Sequence, residues 1–247
     1  MAVEGVNRLE HPIDVMPLMH KAFRALSDRT EELASKATTI EDIEELNQTF
    51  GFWVKQILYH ATVEDEVMTG PLKDGQPLRD LVRDNETEHA DLVGKAGELT
   101  EFIAKGPGSG LAESVRDAGF TLEDEQHKEL EDRFHEVEAI LHQVLGDQKV
   151  TTRTIRHIHS RVIGVRTLEL DHFENEEAFV CSLVRDEINE ADQLHMVRRL
   201  LVDDSAEDPR WILDWVHSEL DAADQAVLED LEVRFQGAVT QAVLKQG

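Results

Sequence analysis

Two pairs of residues in this chain place an imidazole and a carboxylate four positions apart: His60 with Glu64, and His172 with Glu176. Side chains with this spacing lie one above the other on the same face of an α-helix. Both pairs fall on the apolar stripe of a long amphipathic stretch, where a buried carboxylate is costly unless something compensates its charge. A metal ion is the compensating group that these donors favour. The spacing therefore predicts a dinuclear metal centre inside a helix bundle.

The elements that must position these side chains are helices. Apolar residues recur at alternating spacings of three and four, while Gly and Pro concentrate between the periodic stretches, so we predict an all-α protein with no strand. Thr39 is expected to cap the second helix together with Asp42, and Gly70-Pro71 is expected to end it. The predicted helices cover approximately residues 12–36, 39–70, 77–103, 122–145, 150–184, 190–201 and 209–243.

Two further histidines lie on apolar stripes, His20 on the first predicted helix and His89 on the third. Bundle helices pack with their axes about 8–10 Å apart, so inward side chains from facing helices converge. Four imidazoles and two carboxylates suit iron, because carboxylates can bridge two ions and two histidines can serve each ion. Coordination positions would then stay open for a small molecule.

The order His…His-x-x-x-Glu…His…His-x-x-x-Glu resembles the hemerythrin-like domain, also called the HHE cation-binding domain, over roughly residues 10–190. The resemblance implies an up-and-down four-helix bundle that holds two non-haem iron ions and no organic cofactor. It also implies that two glutamates, Glu64 and Glu176, bridge the ions. The metal ligands that the resemblance implies are His20, His60, Glu64, His89, His172 and Glu176.

The chain departs from the oxygen-carrying hemerythrins at two positions. Those proteins have a second histidine four residues after the third-helix ligand, where this chain has Val93. They also use His-x-x-x-x-Asp on the last helix, where this chain has His172-x-x-x-Glu176. The resemblance thus favours a protein that binds or reacts with dioxygen, peroxide or nitric oxide over a simple oxygen carrier. Catalase-like or oxidase activity at the diiron site remains open.

Two segments lie outside the core of the resemblance. We interpret residues 106–147 as an insertion between the third and last bundle helices, and residues 191–247 as a C-terminal helical extension. The expected fold is therefore a hemerythrin-type bundle with an inserted helix and extra C-terminal helices. The last of these helices carries Trp211 and Trp215, which are spaced as core or interface residues, so a homodimer is left open.

Two other functions compete with this interpretation. Iron occupancy could stabilise the bundle for recognition by a partner, as in an iron-sensing or metal-homeostasis protein. Alternatively, the chain could be a metal-free helical interaction module that works through its C-terminal helix. Glu86 and Glu169, each three residues before a candidate histidine, are open between extra ligand, imidazole-orienting acceptor and plain helix surface.

Composition excludes several partner classes. The formal net charge of −27 argues against nucleic acid and against anionic membrane surfaces. No apolar run approaches the ~20 residues of a membrane span. The N-terminus shows no basic segment followed by an apolar one, so we expect a cytoplasmic protein. The single cysteine, Cys181, rules out an internal disulfide and a Cys-rich zinc site.

Overall fold

A computed structural model of the chain describes residues 8–74 and 113–246, and within these ranges every regular element is helical. The predicted all-α class is confirmed for this part of the chain. A short 3₁₀ helix, Pro12–Val15, leads into the first α-helix. The α-helices are α1 (Met16–Lys36), α2 (Ile40–Glu64), α3 (Gly70–Asp74), α4 (Glu113–Asp147), α5 (Thr152–Asn175), α6 (Cys181–Glu187), α7 (Glu190–Leu201), α8 (Trp211–Glu219) and α9 (Ala222–Gln246).

Four long helices form the bundle, and each packs against two neighbours in the cyclic order α1, α2, α4, α5. Short connections join α1 to α2 and α4 to α5. The interpretation of residues 106–147 as an insertion is wrong for the part that the structure describes, because Glu113–Asp147 is a bundle helix. The predicted third helix, residues 77–103, lies outside the described residues. The division of the chain near residue 190 stays a prediction.

An unbroken apolar stripe explains why α4 belongs to the bundle. Its inward residues alternate at spacings of three and four, the pattern of a helix that packs against two neighbours. The ring of Phe134 lies 5.2 Å from that of Trp53 and 5.6 Å from that of Phe50, both on α2. The inward positions are Phe120, Glu123, His127, Leu130, Phe134, Val137, Leu141 and Val144.

The second helix begins as predicted but does not end as predicted. Thr39 Oγ1 accepts the backbone N–H of Asp42 at 3.1 Å, and Asp42 Oδ2 accepts the N–H of Thr39 at 2.9 Å, so the predicted cap is confirmed. Gly70-Pro71, however, lies within a continuous helical path to residue 74. A π-helical turn ends at this point with the N–H of Gly70 bonded to the carbonyl of Asp65, so Pro71 follows without breaking the helix. A Cβ at position 70 would lie 2.6 Å from that carbonyl oxygen, a distance that only glycine permits.

Two π-helical turns, Asp65–Thr69 and Glu176–Val180, extend α2 and α5. Along each helix, four buried residues follow one another at a spacing of four. In a regular α-helix each such step overshoots a full turn by about 40°, so three steps would rotate the last residue out of the interior. The wider i→i+5 turn offsets this drift. The two buried series are His60, Glu64, Met68 and Leu72, and His172, Glu176, Val180 and Val184.

The C-terminal helices pack onto one side of the bundle. Helix α7 contacts the 3₁₀ helix and α2, α8 contacts α1, and α9 contacts α7. The long last helix expected over residues 209–243 is divided in two, because Asp221 caps a new helix by accepting the N–H groups of Ala223 and Asp224, each at 3.1 Å. Trp215 on α8 lies 5.0 Å from the ring of Phe23 on α1, which places this extension directly on the bundle core.

Among the described residues, no helix is both long enough and apolar enough to cross a lipid bilayer.

Candidate metal centre

One histidine from each bundle helix points into the interior, and three of the four lie around a single carboxylate. Glu176 Oε2 lies 3.0 Å from His20 Nε2, 3.5 Å from His60 Nε2 and 3.9 Å from His172 Nε2. These residues come from α1, α2, α5 and the π-turn that follows α5. Their side chains are at most 2% exposed, so the cluster is closed to bulk water.

A second carboxylate lies beside the first, with the fourth imidazole next to it. Glu64 Oε2 lies 3.9 Å from His60 Nε2 and 3.4 Å from His127 Nε2. A third acid, Glu123, stands one helical turn before His127 on α4. Its Oε1 lies 3.6 Å from His127 Nε2 and 3.0 Å from His172 Nδ1. Each half of the cluster therefore combines imidazole nitrogen with carboxylate oxygen, the donors that first-row transition metals accept.

The donor atoms form two overlapping sets of four, and within each set all atoms lie within 4.8 Å of one another. The two sets share Glu64 and His172, so both of them include the same carboxylate and could each hold a cation beside it. The first set is His60, Glu64, His172 and Glu176, and the second is Glu64, Glu123, His127 and His172.

Most of these inward atoms make no hydrogen bond within the protein. Both oxygens of Glu64 and of Glu176 are buried without a hydrogen-bond partner, as are both ring nitrogens of His60. An unsatisfied buried polar group costs about 1–3 kcal/mol, and more if it is charged. So many orphaned atoms facing one point fit a bound cation, because coordination would satisfy them together. The residues present therefore fit a metal centre.

Two of the imidazoles have a further acid beside their Nδ1 atom, on the side of the ring away from the inner carboxylates. His20 Nδ1 lies 2.7 Å from Glu177 Oε1, which also accepts from Arg24 at 3.2 Å. His127 Nδ1 lies 3.3 Å from Asp65 Oδ1 and 3.4 Å from Asp65 Oδ2. In both cases the Nε2 atom is turned towards the inner carboxylates.

Acids that flank these two imidazoles favour their charged form. Burial alone would lower the pKa of His20, but Glu176 and Glu177 outweigh it and raise that pKa to about 9. Burial likewise opposes protonation of His127, but the adjacent carboxylates of Asp65 and Glu64 raise its pKa to about 11. In the metal-free protein, the protons on His20 and His127 thus supply part of the positive charge that balances the carboxylates.

The other side chains respond to the same burial in opposite senses. Burial lowers the pKa of His172 to about 4, so this imidazole is neutral and its nitrogen lone pair is free to bind a cation. Burial and the neighbouring Glu176 raise the pKa of both Glu64 and Glu123. The neighbouring His20, by contrast, outweighs burial at Glu176 and lowers the pKa of that carboxyl.

Glu169, one turn before His172, occupies a separate buried position. It is fully buried and accepts the indole N–H of Trp53 at 2.6 Å, so it is not helix surface. Burial raises its pKa to about 8, with the polar groups of Ser27 and Trp53 opposing the shift. The hydrogen-bond donor to Glu169 in the described structure is an indole and not an imidazole.

Aromatic rings close the site on the side of α1. The imidazole of His20 stacks on the ring of Phe173, with centroids 4.0 Å apart and planes 10° from parallel. Phe23 lies 5.2 Å from the ring of His60 and 5.5 Å from that of Phe173. This apolar wall lowers the local dielectric constant and strengthens the electrostatic interactions of the cluster.

The structure brings together five of the six predicted ligands: His20, His60, Glu64, His172 and Glu176. The sixth, His89, lies outside the described residues, as does Glu86, so their roles stay predictions. Within the described residues, the imidazole from the third packed helix is that of His127, which sequence analysis did not propose as a ligand, and Glu123 was also missed.

A signal for both missed residues is present in the sequence. Along α4, two steps of three and four residues from Leu130 towards the N-terminus lead to His127 and Glu123 on the same stripe. This pair also has the four-residue spacing of the other two pairs, with the carboxylate first. Reading the motif in both directions would have found it.

Fold and site together define a helical bundle with an interior cluster of histidines and glutamates that could bind a cation. Residues 11–124 match the family model of the hemerythrin HHE cation binding domain, which confirms the resemblance drawn from the sequence. This part of the chain is thus similar to the hemerythrin-like cation-binding domain. The match covers just under half of the chain and ends before His127, so the second half of the site extends beyond it. Searches of curated proteins and of solved structures each give no significant match.

Proposed function

We propose that this protein is a non-haem diiron protein that binds or reacts with dioxygen, peroxide or nitric oxide. The observation that carries the proposal is the convergence of four imidazoles and three carboxylates, most of their inward atoms buried without hydrogen-bond partners. Mixed nitrogen and carboxylate donors suit iron, and the two overlapping sets of donors support two ions. No organic cofactor is required.

The chain's own residues have distinct tasks in this proposal. His20 and His60 would serve one ion, and His127 and His172 the other, because each pair lies beside a different part of the carboxylate cluster. Glu64, shared between the two donor sets, would bridge the ions. Bound iron would supply the redox chemistry and the binding position for the small molecule.

Glu176 and the aromatic wall complete the arrangement. Glu176 lies within 3.9 Å of three imidazole nitrogens and would be the second bridge. Phe23 and Phe173 would keep bulk water away from His20 and His60. A dry, enclosed site suits diatomic gases and peroxide better than larger substrates.

The first test is metal content and its dependence on one ligand. Protein purified without affinity metal or chelator should contain close to two iron ions per chain, and the His60→Ala variant should contain well below two. Elemental analysis measures both. His142→Ala, an exposed histidine on α4, is the matched control and should keep wild-type content. Full iron retention in His60→Ala would remove His60 from the site.

The second test addresses reactivity. The ferrous protein, prepared under anaerobic conditions, should change its visible absorption when dioxygen, hydrogen peroxide or nitric oxide is added. A reversible change with dioxygen supports binding, while gas evolution or turnover with peroxide supports catalase-like or oxidase chemistry. Iron-loaded protein that responds to none of the three would contradict this proposal and favour the alternative role in iron sensing.

The iron-sensing alternative has one specific observation in its favour. Trp215 on α8 contacts Phe23, and Phe23 in turn contacts His60, so one chain of rings links the C-terminal helices to the site. A change at His60 on iron binding could therefore reach the outer surface of the extension. Hydrogen exchange of α8 and α9 that differs between the iron-loaded and iron-free protein would support this role.

A further inference from the structure

The acid that follows each inner glutamate has a partner of its own. Glu64 is followed by Asp65, and Glu176 is followed by Glu177. In each pair, the first carboxylate faces the Nε2 atom of an imidazole and the second faces the Nδ1 atom of the same ring. The imidazole is that of His127 for the first pair and of His20 for the second.

Helix geometry explains why two adjacent acids seldom contact the same imidazole ring. Consecutive residues of an α-helix point about 100° apart, so two adjacent side chains do not normally reach one ring. Here both pairs stand at the start of a π-turn: Asp65 opens one turn and Glu176 opens the other. The same irregularity thus occurs at both ends of the cluster, each time with an imidazole from a neighbouring helix between the two acids.

We propose that Glu177 and Asp65 are positioning residues that hold His20 and His127, respectively, each for one of two metal ions. A histidine ligand presents one nitrogen to the metal and donates its other N–H to an acceptor, which fixes the ring and its tautomer. Glu177 and Asp65 accept at Nδ1 and leave Nε2 directed inwards. This inference rests on the proposed metal centre.

The two positioning residues are not equally supported. Glu177 accepts from His20 at 2.7 Å and from Arg24 at 3.2 Å, and its side chain is 30% exposed. Asp65 lies 3.3 Å from His127, accepts from Thr69 Oγ1 at 3.3 Å, and is 45% exposed. We therefore expect the ion beside His20 to depend more strongly on its positioning residue than the ion beside His127.

The test uses the full chain and Co²⁺ as a spectroscopic probe of metal binding. Stepwise titration of wild type should reveal two bound ions. Glu177→Leu, which removes both charge and acceptor, should weaken one of the two binding steps by about 10–100-fold, the usual effect of losing such a partner. Glu177→Gln keeps an acceptor for Nδ1 and should lose less. Glu174→Gln, an exposed acid on the same helix, is the control for net charge and should bind as wild type does.

The corresponding variants of Asp65 test the other binding step. Asp65→Leu should weaken that step, and Asp65→Asn should weaken it less. The Co²⁺ absorption bands separate positioning from a structural role. Loss of positioning changes the bands and the affinity of one ion and leaves those of the other ion near wild type. A structural role would weaken both ions together, and this result would overturn the inference.

Two outcomes separate this inference from the proposed function. If wild type binds no Co²⁺ and no Fe²⁺, the metal centre is refuted, and the positioning roles with it. If wild type binds two ions and the leucine variants bind them with unchanged affinity, the metal centre stands and the positioning roles alone are refuted.

Discussion

Replacing Glu169 by glutamine should make the stability of the metal-free protein less sensitive to alkaline pH. Glu169 is fully buried, and one of its oxygens accepts the indole N–H of Trp53 while the other has no hydrogen-bond partner. Burial raises its pKa from 4.5 to about 8. Glutamine has nearly the same shape, keeps an oxygen for the indole and carries no charge, so it mimics the protonated acid at every pH.

The size of the effect follows from proton linkage. A raised acid pKa stabilises the folded state fully only below the unfolded pKa, and this contribution is lost as the pH rises through the folded pKa. With pKa values of 4.5 unfolded and about 8 folded, the window for Glu169 covers this range. At 1.36 kcal/mol per pKa unit, the cost reaches about 1 kcal/mol near pH 5 and about 5 kcal/mol near pH 9.5. The variant should therefore gain ~4 kcal/mol over wild type between these two pH values.

Urea unfolding of both proteins in the presence of chelator measures this difference at several pH values. Glu174→Gln, which removes an exposed carboxylate from the same helix, controls for the change in net charge and should follow the wild-type profile within about 0.5 kcal/mol. Unfolding free energies of wild type and Glu169→Gln that stay parallel from acid to alkaline pH would refute the reasoning, because they would mean that Glu169 titrates normally in the folded protein.

Three further predictions concern the site and its packing. His127→Ala should lower the iron content, whereas His135→Ala, an exposed neighbour on the same helix, should not; equal iron in both by elemental analysis would exclude His127 as a ligand. Because His20 and His127 have raised pKa values of about 9 and about 11, and the pKa values of Glu64 and Glu123 are raised as well, metal binding at neutral pH should release at least two protons, measurable by calorimetry in buffers of different ionisation enthalpy. A heat independent of the buffer would contradict that expectation. Gly119→Ala should destabilise the protein by about 1–3 kcal/mol, since its Cβ would lie 2.3 Å from an aromatic ring, whereas Gly164→Ala has free space and should stabilise it; chemical unfolding of both distinguishes packing from helix propensity.

The fold class and most of the site could be predicted because they depend on local periodicity. Four of the predicted ligands are recognisable from a spacing of four on apolar stripes, which is a property of a single helix: His60, Glu64, His172 and Glu176. His20 needed only the assumption that apolar faces meet in a bundle. These inferences require no knowledge of how neighbouring helices are rotated or shifted along their axes.

The predictions that failed depend on relations between segments. Because the resemblance placed the third-helix ligand at His89, residues 106–147 were interpreted as an insertion, and the pair Glu123 and His127 was not proposed. The roles of Asp65 and Glu177 arise only when a second helix supplies the imidazole that each of them contacts. Neither a π-turn nor the axial alignment of helices has a composition signal. The repeated buried spacing of four is the one trace that the π-turns leave in the sequence.

The widened turns carry a consequence for how this chain tolerates length changes. Each divides a long rod into two stretches whose rotational phases are set independently, one serving the donors and one serving the apolar interior beyond them. Loss of a single residue there would turn the π-turn into a regular α-helical turn and leave the downstream residues in nearly the same rotational phase, because the wider turn absorbs one residue. Met68 and Val180 would then still face the interior, as His60 and His172 do. One-residue gaps at these two places should therefore be compatible with the fold in relatives, whereas a gap elsewhere in α2 or α5 would rotate the residues beyond it by about 100°.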